Sequence, residues 1–151
     1  MAGAQPSGGR STGQALVEFA IVAPIFFLLL FGIIEGGRFI LYYQTLNNAT
    51  REGARYAIVH GSNSYCPSGP MPPGESAPTG CYDPVGAKVV QQVKETAFGV
   101  LGPSIAVTPE WGPLGNGRDS DVRIRATYTY STLIPLVPLP PITISAESSL
   151  V

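Results

Sequence analysis

Charge is scarce in this sequence. Asp, Glu, Lys and Arg make up 13% of its 151 residues and the formal net charge is −1, so no basic field exists to hold phosphates or a nucleic-acid backbone. Nucleic acid is not an expected partner. Histidine is nearly absent as well, with His60 the only one, and the sequence contains no Ser/His/Asp or Cys/His set, no glycine-rich phosphate loop and no two-histidine motif. An enzyme would have little to work with, and neither a cofactor nor a metal is expected. The length allows one modest domain beside any membrane segment.

What the chain does have is one long apolar run, "STGQALVEFAIVAPIFFLLLFGII", in which residues 19–34 carry no charge. A bilayer core of ~30 Å needs about 17–25 such residues, and Leu16 and Val17 extend the run beyond Glu18. A buried core helix is the competing reading. It fails on size, because a chain this small has too little other apolar surface to wrap "PIFFLLLFGII" on all sides. Pro24 is compatible with a membrane helix, at the expense of a mild kink.

A removable secretory signal would end in a small-residue cut after the apolar core. Here the core runs into "GIIEGGRFI", which has no A-x-A pattern. A different junction precedes the core: Gly13 is followed by Gln14, then Glu18 and the aromatic Phe19. Glycine, four residues, glutamate and an aromatic leading into an apolar helix resembles a class III, type IV pilin-like signal. The longer stretch "GQALVEFAIVAPIFFLLLFGIIEGGRFILYYQTLNNATREGARYA" is similar to TadE-like pilin-like proteins of the tight-adherence (Flp) pilus apparatus.

That resemblance spans roughly Thr12 to His60 and is thin beyond. It implies that a prepilin peptidase cuts between Gly13 and Gln14, leaving the helix on the mature protein. It also implies a single-pass protein of the bacterial cytoplasmic membrane, with its N-terminus cytoplasmic and its C-terminal part extracytoplasmic. Other pilin-like subunits and the pilus assembly platform are the implied partners. Arg10 before the helix and Arg38, Arg51 and Arg55 after it give little charge bias with which to set the orientation.

The position of Glu18 has a physical reading of its own. A carboxylate at mid-bilayer costs ~2.5–3.5 kcal/mol or more, whereas one near a helix end reaches the headgroups. After a cut at Gly13 the new amine of Gln14 lies one turn away, and in a packed array Glu18 would face a neighbour's amine. Such attraction strengthens as the dielectric falls, provided the groups pair. The plainer alternative is an interfacial acid favoured by the helix macrodipole.

Beyond the bilayer the helical pattern continues without proline to His60, with Phe39, Tyr42, Leu46, Ala49, Gly53 and Ala57 recurring at three or four residues. Ala49, Gly53 and Ala57 form a ridge of small residues that admits close backbone approach. A seat for the protein's own sheet is the preferred reading, ahead of a subunit contact. Arg51, Glu52 and Arg55 read as a solvated face or a local ion-pair set.

The next stretch, "GSNSYCPSGPMPPGESAPTGCYD", is rich in proline and glycine and holds both cysteines, Cys66 and Cys81. A metal site would need further ligands, whereas a Pro/Gly loop with a cysteine near each end reads as a disulfide-stapled extracytoplasmic loop. Asp83-Pro84 then reads as a helix N-cap and first position, followed by Val85, Val89, Val93 and Ala97 at four-residue spacing. "IAVTPEW", "DVRIRATYTYS" and "ITISAESSL" read as strands, the second alternating apolar and polar as in a sheet with one wet face. In "GNGRDSD", Asn116, Asp119 and Asp121 have the spacing of calcium ligands but lack the remaining acids, so a polar hairpin turn is expected. "LIPLVPLPPI" is an apolar connection suited to a membrane surface, a partner or a sheet edge.

The expected fold is α+β: a long N-terminal helix, half transmembrane and half amphipathic, with a head of one helix and a three-stranded antiparallel sheet. Its segments are a leader at 1–13, a transmembrane helix at 14–37, an extracytoplasmic continuation at 38–60, the disulfide loop at 61–84 and the head at 85–151. The expected function is that of a minor pilin-like (pseudopilin) subunit contributing to pilus biogenesis and surface adhesion. The alternative is a monomeric membrane-anchored domain that binds an envelope ligand.

Overall fold

The computed structural model describes residues 11–78, 80–133 and 140–151. The leader up to Arg10 and most of the proline-rich connection at 133–142 lie outside the described residues. The elements follow in the order α1 (Ser11–Val59), α2 (Ala87–Leu101), β1 (Ile105–Trp111), β2 (Val122–Tyr130) and β3 (Ile142–Leu150). The fold is α+β, as the sequence predicts. Two compact units divide the chain, Met1–Gly37 and Arg38–Val151, and α1 contributes to both.

In the first unit α1 is apolar on every side. Leu16, Phe19, Ile21, Val22, Leu29 and Ile33 are all more than 60% exposed, which in water would be untenable for so much contiguous hydrocarbon. The helix is long and apolar enough to cross a membrane. Pro24 lies inside it without ending it.

The second unit is built on the part of α1 that follows Gly37. Leu46, Ala49, Ala54 and Ala57 are buried, together with Thr50, whose hydroxyl donates to the Asn47 carbonyl at 2.9 Å and so enters the core already satisfied. Phe39 and Tyr42 are half-buried, edge-on to Tyr130 at 5.5 Å in each case, and Tyr42 also meets Tyr128 at 5.6 Å. Arg38 lies over the rings of Tyr42 and Tyr130, 5.4 and 5.7 Å from their centroids, a cation–π arrangement.

The sheet has the order β1-β2-β3, antiparallel throughout, with Ile105 opposite Tyr128 and Ala126 opposite Ala146. On β2 the residues Val122, Ile124, Ala126 and Tyr130 are buried, while Arg123, Arg125 and Thr129 are exposed. The alternation follows from the two-residue period of a strand with one face on a core. On the wet face Glu147 of β3 takes Arg123 at 3.2 Å and Arg125 at 3.1 Å. These pairs are nearly half exposed and contribute little stability.

Helix α2 corrects the expected start at Asp83-Pro84. It begins at Ala87, after Gly86 in the left-handed region at φ 71°, and Val85 is 69% exposed instead of heading the buried stripe. The stripe is Val89, Val93, Ala97 and Leu101. The cause is tertiary: the Asp83 backbone is committed to the loop, its N–H donating to Pro67 O and its carbonyl accepting from Gly69 N. The turn to Gly86 then brings the chain against the Trp111 ring, where a Cβ would not fit.

Candidate functional site

The segment that carries the Gly13-Gln14 junction and Glu18 is helical throughout, since α1 begins at Ser11. Gly13 has open space around it. One turn apart, the Gln14 side-chain amide donates to Glu18 Oε1 at 3.2 Å, so the carboxylate has a local partner on its own helix. Glu18 is exposed, as is its neighbour Phe19. Glu18 lies more than one turn inside the described part of α1.

The ridge of Ala49, Gly53 and Ala57 faces inward. All three are buried, and the Cα of Gly53 is so close to Val93 of α2 that a Cβ would overlap the valine methyl, with Ile124 of β2 next at 3.6 Å. The ridge seats the protein's own second helix and central strand. Arg51 and Arg55 are exposed on the other side of α1 and Glu52 is partly exposed. Among the described residues none of the three forms an ion pair, which leaves the solvated-face reading.

Cys66 and Cys81 are joined in a disulfide, with Cα atoms 5.1 Å apart. Just inside it is a lock that the sequence did not reveal. Ser68 and Asp83 form a parallel bridge, the Ser68 hydroxyl donates to Asp83 Oδ2 at 2.8 Å, and the Ala87 and Lys88 amides donate to the same carboxylate at 2.9 and 2.8 Å. Asp83 thus caps α2 from outside it. Burial opposes its charge, but the amide bonds from Lys88 and Ala87, with the Ser68 hydroxyl and the Val85 amide, outweigh this and hold the carboxyl below its usual pKa.

Asn116 ties this loop to the β1–β2 connection. Its side-chain amide donates to the carbonyls of Ser68 and Gly69 at 3.2 and 3.3 Å, and its backbone N–H donates to Pro70 O at 2.7 Å. The residue considered as a calcium ligand is instead a clasp between loops, and among the described residues no group of three His, Cys, Asp or Glu side chains could hold a metal. Asp119, at φ 61°, and the bond from Ser120 Oγ to Gly115 O at 2.6 Å mark the tight turn at 115–120. Only residue type hinted at the clasp, since Asn and Asp are common in turns.

In comparison with known proteins, residues 13–55 fit the family model described as TadE-like protein. No curated protein and no solved structure matches the chain. The matched residues begin at Gly13, take in Glu18 and Phe19, and end at Arg55, so the membrane-length helix and its continuation into the head form a TadE-like segment.

Proposed function

We propose that this protein is a pilin-like subunit of a tight-adherence pilus system, anchored by α1 and contributing to pilus biogenesis and surface adhesion. The family is pilus-related and structural rather than enzymatic. The observation that carries the reading is the Gly13, Glu18, Phe19 spacing at the start of the apolar stretch of α1, whose most apolar window is unburied, inside the TadE-like segment. An apolar surface of that extent needs lipid or other apolar helices around it. Glu18, set near its start, supplies a charge to pair with the amine of an adjacent subunit while that subunit docks. The small-residue ridge takes no part, because the head already covers it.

In this reading a prepilin peptidase cuts between Gly13 and Gln14 on the cytoplasmic side. The disulfide-braced head lies outside the cytoplasmic membrane and meets other pilin-like subunits and the assembly platform. N-terminal mass spectrometry of protein purified from membranes tests the cut. A mature chain beginning at Gln14, and a longer precursor in Gly13→Val, are expected. A chain beginning after Ile34 would show an ordinary secretory signal and overturn the proposal.

A further inference from the structure

Where α1 ends, the head carries a cleft of about 450 Å³, within the range of small-molecule sites. Its floor is apolar, made by Ile58 and Val59 of the last helical turn with Trp111 and Val122 of the sheet, and its rim is the 115–120 turn with Arg118 and Asp119. A second hollow of about 280 Å³ shares Ile58, Val59, Asn116, Gly117 and Arg118, so the turn stands between two adjoining depressions. Neither Arg118 nor Asp119 has a side-chain partner among the described residues, and both are exposed.

We infer that this cleft binds a neutral polyhydroxylated ring, a saccharide unit. The floor suits the C–H face of such a ring. A carboxylate and a guanidinium side by side on the rim offer paired acceptors and paired donors in planar, bidentate geometry, which matches vicinal hydroxyls. Their charges cancel, so the rim does not select a charged ligand. The wall also holds Asn116, only 7% exposed, whose Oδ1 has no hydrogen-bond partner although its amide nitrogen has two. That oxygen is closed off from solvent and comes within reach of a ligand hydroxyl only if the wall adjusts.

Trp111 is the only tryptophan in the chain and lines the cleft, so its fluorescence reports occupancy. The full chain, in a detergent without a sugar headgroup, is titrated with glucose, galactose and N-acetylglucosamine, and binding is read in parallel by saturation-transfer NMR. A saturable signal with a millimolar constant is expected for at least one sugar. Asp119→Gly, which keeps the left-handed backbone and removes the carboxylate, should weaken it roughly tenfold, and Arg118→Gln should also weaken it. Absence of saturation by either readout up to about 100 mM, far above a millimolar constant, overturns the inference. So does binding that both variants leave intact, or saturation by a tripeptide such as triglycine in place of sugars. The test is independent of membrane anchoring and assembly, so its failure leaves the proposed function standing.

Discussion

Gly53 and Val93 touch through a backbone rather than through two side chains: the glycine Cα of α1 lies directly beneath a valine methyl of α2. A glycine inside a helix costs ~1 kcal/mol relative to alanine, and this contact is what it makes possible. Gly53→Ala gains that propensity but forces a methyl into a filled space, an overpacking of ~1–3 kcal/mol. The two effects separate in a double-mutant cycle. Denaturant unfolding in detergent should show Gly53→Ala destabilising the wild-type head and stabilising a Val93→Ala head, where room has been made. Strict additivity would mean that the close approach has no energetic weight.

The Asp83 lock has a pH signature. Its folded carboxyl pKa is depressed, so the stabilisation is fully present above the unfolded value of ~3.9 and is lost as pH falls through the folded value. Thermal unfolding followed from pH 7 to pH 2.5 should show this loss only at the acid end. Asp83→Asn should be less stable at pH 7 and should close the gap with wild type as the pH drops. A gap of constant size down to pH 2.5 would assign the role to shape rather than charge.

Closing the loop between Cys66 and Cys81 restrains the unfolded chain by ~3 kcal/mol on the chain-entropy model. Nonreducing peptide mapping of protein taken from cells should recover the linked pair, and the Cys66→Ser/Cys81→Ser double variant should unfold at distinctly lower denaturant concentration. Two free thiols in the cellular protein would argue for a cytoplasmic head and reverse the proposed orientation.

Glu18→Gln tests the assembly role directly. Removing a charge eases membrane burial, so insertion should be intact and cleavage after Gly13 largely so. Recovery with partner pilin subunits should fail, because an incoming amine loses its counter-charge while still being desolvated. Co-purification at matched membrane levels measures this. Equal recovery of variant and wild type would sink the idea that this acid guides docking.

The sequence alone determined the elements whose signals are local. The uncharged run at 19–34 and the recurrence from Phe39 to Ala57 define α1 because helical period and hydropathy are written in neighbouring residues. The alternation of Val122, Ile124 and Ala126 with Arg123 and Arg125 defines β2 and its wet face for the same reason. Asp83 was recognisable as a capping residue, although not where its helix begins.

Tertiary structure decided what depends on residues far apart in the chain. Asn116 reaches back to Ser68 and Gly69, Asp83 is held by Ser68 across the disulfide loop, and Gly53 finds its partner in α2. The cleft beside Arg118 and Asp119 exists only because the end of α1 meets the β1–β2 turn. Periodicity fixes which face of an element is apolar, but the neighbour that covers that face is chosen by packing the whole unit to native density, and no short stretch of sequence contains that choice.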